Sequence, residues 1–504
     1  MARYGTFKYS DEKYGIGDKT TLLWGFEVDW GGTGSFDGSN EASRVVGMST
    51  RRGRRKYLRA NRNGFEPLAT GRAMIKLDNS DGRYNTFNTA SPLYPDVDPG
   101  DGKLVRITVK DGSSGTKEDV FYGTLVDIRG AGYGDNPIVE LIVEDGWGIL
   151  RAAGARIPIE EDISIEDAIG LVLDDANWPA TWGRDLQASG ETIPFYWADG
   201  KAATEIHSLA ESVLGMFSVG ADGKAKFIPR TFVSSPAVTL LQSELQKDLT
   251  IPVPWEYQSN EVRVKIHPRV QQATGTLWEM TGIPISITAG ETEEVFVDYV
   301  FDTIRVPAIN VLTPVITTDY TANDTEDGSG ADVTSDIAIT SYDFGQTNRL
   351  RIKNNGAGTA YMQILKIRGD ALADTDTGTI IKSIDATYKR IFELDLLWQQ
   401  GYSKAISFAQ VLVDFLSGNL PFPAVKIVAR PDIQFAADIF DTSRLQLEKL
   451  GIDRSFRIGG IQHSSKGQNL QDIETVYYLE SYIDPDQFWI WPITDFGTDT
   501  IFSF

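Results

Sequence analysis

The sequence predicts a mainly β chain with a helical minority, an α+β arrangement spread over several domains. Apolar and polar residues alternate over short runs, such as Ala73 to Leu77 and Val120 to Ile128, which is the period of a half-buried strand. Forty-eight glycines, together with many Asn, Asp and Pro residues, break those runs with turn chemistry. Helical periods are few. At 504 residues, 41% of them hydrophobic, the chain holds material for about three or four cores.

Taken in order, Thr21 to Val28, Ala42 to Ser49 and Lys56 to Ala60 read as strands, with Gly31 to Gly34 as a turn. Arg51, Arg52, Arg54 and Arg55 form a basic cluster in an acidic chain. Either they are a solvated hairpin paired to local carboxylates, or they clamp an acidic protein neighbour; DNA is the weaker reading, because no aromatic platform is interleaved with them. After the strand at Ala73 to Leu77, Asp78-Asn79-Ser80-Asp81-Gly82 is a turn. The loop from Asp81 to Pro99 then runs without period to a strand at Leu104 to Val109. Its rings Tyr84, Phe87 and Tyr94 are candidate contacts with a neighbour.

Strands at Val120 to Ile128 and Ile138 to Val143 follow, joined by Arg129-Gly130-Ala131-Gly132-Tyr133-Gly134. That glycine run opens no helix, so it offers a phosphate no helix N-terminus. Ser164, with Asp167 three residues on, caps a helix whose stripe is Ile165, Ala168, Ile169, Val172 and Leu173. A second helix uses Ile206, Leu209, Ala210, Val213 and Leu214, stopping at Gly215, and a hairpin follows at Met216 to Ile228. From about 270 to 380 only short Thr/Val/Ile runs with turn signals remain, which predicts a β-sandwich. Its loop Asn323 to Gly328 is acidic, but without a twelfth-position Glu or flanking helices it reads as solvated and not as a calcium site. After an expected connector at Ala371 to Gly378, a helix carries Ala405, Phe408, Ala409, Leu412 and Leu416, and strands return at Ala424 to Ala429, Phe456 to Ile461 and Thr475 to Leu479. The last residues are rich in aromatics: Phe488, Trp489, Trp491 and Phe504 are expected to dock on a partner.

Forty-eight basic against 70 acidic residues give a net charge of -22, which opposes general binding to nucleic acid or an anionic membrane. With no cysteine there is no disulfide, thiolate nucleophile or cysteine–zinc site. No apolar run approaches the ~20 residues of a membrane span, and the N-terminus lacks a secretory core, so synthesis in a cytoplasm is expected. The three histidines are dispersed, and no nucleophile elbow or Walker loop is present. No cofactor or metal is expected, and the chain is read as not an enzyme.

Several motifs resemble one family. "GRAMIKLDNSDGRYN…NTASPLYP…PGDGKLVRI" from Gly71, "WADGK" from Trp197, "ESVLGMFSVGADGKAKF" from Glu211, "RLRIKNNGAGTAYMQILKIRG" from Arg349 and "LGIDRSFRIGGIQHSS" from Leu450 are similar, in this order, to baseplate-hub or tail-tip proteins of tailed bacteriophages, the minor tail proteins. The resemblance implies residues 1–150 as an N-terminal hub β-barrel domain, 151–235 as an α/β hub domain and 236–270 as return strands. It implies 271–380 as an inserted β-sandwich, 381–482 as a second hub barrel domain and 483–504 as an aromatic tail. It further implies a virion structural protein at the distal tail tip, closing the tail tube, with a role in host attachment and DNA ejection. The expected partners are the tail tube or a distal tail protein, the tape-measure protein and tail fibres or a spike.

Tyr122 to Asp145 and Ile458 to Ser481 align without a gap, matching Gly123 with Gly459, Leu125 with Ile461 and Glu144 with Glu480; duplication and chance convergence are both open. If they mark paired barrels, a homotrimer presents six similar units to a six-fold tube. A different reading makes the sandwich a carbohydrate-binding receptor module, with Trp278, Tyr299 or Tyr361 stacking on sugars. A third, a wall-degrading hydrolase, rests only on chance pairs among seventy acidic residues.

Overall fold

The computed structural model describes residues 21–482, apart from 57, 60–61, 100–101, 113–114, 131–136, 231, 233, 246–248, 250, 375–377 and 467–468. Strands take 48% of it and helices 15%, so the chain is mainly β. The alternation in sequence becomes alternation in burial. In β3 (Ala69–Asp78), Ala73, Ile75 and Leu77 are fully buried while Arg72, Met74 and Lys76 face outwards.

Around it lie β1 (Leu22–Val28), β2 (Val45–Gly53), β4 (Leu104–Asp111), β5 (Lys117–Arg129) and β6 (Ile138–Glu144), in the order β1-β4-β5-β6-β3-β2. Phe26, Ile75, Val105, Phe121, Leu125, Leu141 and Val143 share their core. At Lys56, Leu58 and Arg59, the described part of the expected strand at Lys56 to Ala60, no strand forms. Arg54 donates to the Glu66 carbonyl and Arg59 to that of Phe65, and only an isolated bridge joins Leu58 to Phe65.

Two helices follow. In α1 (Ile165–Asp175) the Ser164 hydroxyl accepts the Asp167 N–H at 3.1 Å, and the expected stripe is buried. In α2 (Ala202–Ser212) the chain leaves through Gly215, whose N–H returns to the Ala210 carbonyl at 2.8 Å. Both helices pack into the core that holds Trp147, Tyr196, Trp398 and Phe440. A hairpin of Gly154–Ser164 with Thr192–Lys201, unforeseen in the sequence, runs beside α1.

Next come β7 (Val238–Leu241) and β8 (Glu261–Ile266). Between β8 and its later partners, residues 270–373 enclose a core of their own, including Ile287, Tyr299, Leu350, Ile352, Met362 and Ile367. Its members include β9 (Thr292–Asp298), β10 (Ile337–Asp343) and β11 (Thr347–Asn354), ordered β9-β11-β10. The other sheet is organised on β12 (Ala360–Ala373). Ala371 to Ala373, read as connector, thus belong to a strand. In the acidic loop, Asn323, Asp324 and Asp327 spend side-chain oxygens on the backbone N–H groups of Thr325, Ala331 and Ser329.

The chain returns as β13 (Gly378–Ser383) and β14 (Ile391–Leu396), which flank β8, and α3 (Tyr402–Ser417) covers that sheet with Ala405, Phe408, Leu412 and Leu416. Finally β15 (Ala424–Val428), β16 (Thr442–Leu447), β17 (Ile452–Lys466) and β18 (Asn469–Glu480) join the first set through β2 and, with β7 added beside β16, make one eleven-stranded sheet.

This last set repeats the first. In chain order β3, β4, β5, β6 pair as β4-β5-β6-β3, and β15, β16, β17, β18 pair as β16-β17-β18-β15, all antiparallel. Thr124 faces Glu144 and Leu125 faces Val143, then one residue bulges and Asp127 faces Ile142. In the copy Arg457 faces Glu480 and Ile458 faces Leu479, then one residue bulges and Gly460 faces Tyr478. The gapless alignment holds for β6 with β18, but β5 and β17 need a three-residue gap: Leu125 corresponds to Ile458 and not to Ile461. Hairpin loops absorb such gaps, whereas strand register does not. Lys76 and Lys426 correspond as well, both on the outer side of the first strand. One difference stands out at the rim, where β1 lies antiparallel to β4 but β7 lies parallel to β16.

Candidate assembly interface

The arginine cluster is sorted by strand alternation. Arg52 is buried and its Nη1 meets Asp438 Oδ1 at 2.6 Å, while Asp438 also holds Lys226 Nζ at 2.9 Å. Burial alone opposes charge on Asp438, yet Arg52 and Lys226 keep its carboxyl well below the usual range. Arg54, just past the strand, is buried against Glu480. These ion pairs fasten the first unit to the second and to the hairpin at Met216 to Ile228. Near them Asp145 is pushed up to about 7 by burial, and His463 down to about 3 by burial and the Arg52 charge.

Arg51 and Arg55 project from the opposite face. Arg55 donates to Gln462 Oε1 at 2.7 Å and lies over the Tyr478 ring, and Arg51 is lowered from its ordinary pKa by burial and then by Arg55. The cluster is therefore two buried ties and two surface cations. Asp438, and the pairing of Glu480 with Arg54, escaped the sequence reading because single carboxylates among seventy carry no local signal of their ion partner.

Tyr84 is 1% exposed, with its hydroxyl donating to Glu41 Oε2 at 2.8 Å and its N–H to Asn79 Oδ1 at 2.9 Å. Its burial is inside the chain and uses no partner. Phe87, at 92% exposed, and Tyr94, at 47%, remain on the surface of the same loop. Phe488, Trp489, Trp491 and Phe504 lie outside the described residues. Of the proposed sugar-stacking rings, Tyr299 is fully buried, its hydroxyl donating to Asp343 Oδ1 at 3.0 Å and accepting from Asn348 Nδ2 at 2.9 Å, so no sugar reaches it. Trp278 packs half-buried on the same core, and Tyr361 is half-buried.

Besides its rim strands β1 and β7, the joined sheet has open edges at two further places among the described residues. At the junction inside the chain, β2 pairs with β3 on one side and with Gly460 to Ser464 of β17 on the other. The corresponding part of β5, Asp127 to Arg129, pairs with β6 but with no strand on its other side among the described residues. Likewise β15, the counterpart of β3, pairs only with β18. Glu144, the counterpart of Glu480, is taken by Arg72 of the same unit.

No protein-family model matches the chain, and no curated protein matches it. Among solved structures it is similar to the tail protein from Neisseria meningitidis MC58, with 10% identity, TM-score 0.49, and 91% of this chain and 96% of that one covered. The 43 kDa tail protein of prophage MuSo2 from Shewanella oneidensis gives 10% identity, TM-score 0.48, and coverage of 92% and 98%. Prophage tail protein gp18 from Listeria monocytogenes EGD-e gives 7%, 0.42, and coverage of 90% and 94%. The first is described as a tail protein and the other two as prophage tail proteins. At this identity the likeness is one of layout, and no role is taken from it.

Proposed function

We propose that the chain is a non-catalytic structural hub at the distal end of a bacteriophage tail tube. It joins the tube or a distal tail protein to tip fibres or a spike, touches the tape-measure protein, and serves attachment and DNA ejection. The observation that carries the reading is the duplicated four-stranded unit, alike in strand order, register and bulge. A tube of six-fold symmetry meets a narrower tip without mismatch if three copies each present two similar units. In this reading the two units are the paired barrels and residues 270–373 the inserted sandwich, set outside the ring. The open edges at Asp127 to Arg129 and at β15 support head-to-tail contact, because an exposed sheet edge is a template for pairing with another chain. Native mass spectrometry of the purified chain tests this: a particle of three times 55.6 kDa is expected. A ring of six, or a monomer at every concentration, overturns it.

A further inference from the structure

The outer face of the β9-β11-β10 sheet holds a guanidinium, that of Arg349, whose only recorded partner among the described residues is an aromatic ring. Alternate residues face outwards there, among them the rows Glu294–Arg351–Thr340 and Phe296–Arg349–Tyr342, with Thr292–Lys353–Ala338 beyond the first and Asp298, paired to Arg305 at 3.1 Å, beside Thr347 beyond the second. In the first row Arg351 Nε pairs with Glu294 Oε1 at 3.0 Å. In the second, Phe296 stands 58% exposed on one side of Arg349, and the Tyr342 ring holds Arg349 on the other, 4.4 Å from Cζ to centroid. Arg349 makes no hydrogen bond or ion pair with any described residue, and Lys353, next along β11, has no carboxylate partner among them. So a chain of net charge -22 carries a locally cationic, ring-bearing face here.

We infer that this face binds an anionic saccharide: the Phe296 ring takes the C–H face of a pyranose, and Arg349 takes the carboxylate of that sugar. The chemistry follows from the parts. A guanidinium is a planar fork matched to carboxylate, and one already held by stacking loses less freedom when it binds. Neighbouring strands lie about 4.8 Å apart, which sets the offset from Phe296 to Arg349 within reach of one sugar ring and its exocyclic carboxylate. Charge complementarity excludes a neutral glycan as the preferred ligand. An acidic peptide would satisfy the cations but has no use for an exposed phenyl in the same row. The site is on the opposite side of the sheet from Tyr299, and it stands independently of the hub reading.

The test is calorimetric titration of the full chain with tetragalacturonate, maltotetraose and hexaglutamate. Tetragalacturonate is expected to bind, and Phe296→Ala, Arg349→Gln and Arg349→Lys each to weaken it at least tenfold, with Tyr388→Ala, a change at a distant exposed ring, leaving it unaltered. Unchanged thermal midpoints in these surface variants keep loss of binding distinct from loss of fold. Equal binding of maltotetraose overturns the role of charge, and equal binding of hexaglutamate overturns the saccharide in favour of an acidic protein. Absence of tetragalacturonate binding at millimolar concentration overturns the proposal outright.

Discussion

Arg54 grips Glu480 through two parallel hydrogen bonds, 2.8 Å from Nε to Oε1 and 2.9 Å from Nη2 to Oε2, across 426 residues of sequence. Both side chains are nearly sealed from water, at 7% and 5% exposed. Removing one partner leaves a buried, unpaired charge. Arg54→Ala is therefore expected to cost about 3–5 kcal/mol, read as a large fall in the urea midpoint, whereas replacing both partners with Met and Leu costs much less. An unchanged midpoint in Arg54→Ala would show that the tie contributes nothing.

A second tie is sensitive to pH. His267, which follows β8, places Nδ1 2.6 Å from Asp374 and Nε2 2.6 Å from Asp395, so both ring nitrogens face carboxylate oxygens. Only the imidazolium can donate to both. Asp374 follows β12, so one ring clasps the entry and exit of the inserted unit to β14. The hydrogen bond to Asp395 raises the His267 pKa, burial opposes it, and Asp374 adds to the rise. Lys265, at 3.2 Å from Asp395, and Arg269 are the nearby cations. Because the folded pKa is raised, the stabilisation is full below the unfolded value of ~6.5 and is lost as pH climbs through the folded value. Hydrogen exchange at residues 270–271 and 372–374 is expected to speed up with pH beyond its intrinsic dependence, and His267→Gln is expected to abolish that excess. No excess in the native chain would contradict this.

The long loop separates folding from contact. Tyr84→Phe removes the hydroxyl that Glu41 accepts and is expected to cost about 1–2 kcal/mol in stability. Phe87→Ser and Tyr94→Ser touch exposed rings and are expected to leave stability within about 0.5 kcal/mol, yet to reduce incorporation of the chain into assembled tails. Full incorporation of the double variant would mean that these rings meet no neighbour.

What the sequence disclosed depended on how local the cause was. β3 and α1 were legible because alternation and the Ser164 cap are written in adjacent residues. β13 and β14 were missed, and β8 was expected only as part of the return strands at 236–270: their buried face, with Val262, Val264, Phe392 and Leu394, is covered by α3, and short runs mixed with charge give no sign of what will cover them. The duplicated unit was half-visible, because strand period survived while the loop gap hid the register. Tyr299 misled, since a tyrosine in a strand looks the same whether its ring faces solvent or, as here, a core lined with polar partners. Arg54 and Glu480 could be joined only by the fold.

The junction of the two units also has a steric signature. Gly53 sits at the end of β2 with φ +80°, and a Cβ there would overlap the carbonyl oxygen of Gly459, the bulged residue of the second unit. Gly34 has nearly the same φ, +78°, with nothing within 4 Å of its Cβ position. Changing either to alanine incurs the left-handed backbone penalty of about 1–2 kcal/mol. Only Gly53→Ala also pushes apart two backbones, and neither can move without breaking the β2–β17 ladder that joins the units. Gly34→Ala is thus expected to cost little beyond the backbone term, while Gly53→Ala lowers the urea midpoint far more and exposes β17 amides from Gly460 to Ser464 to hydrogen exchange. Equal effects of the two substitutions would show that the units are not held by close approach at Gly53.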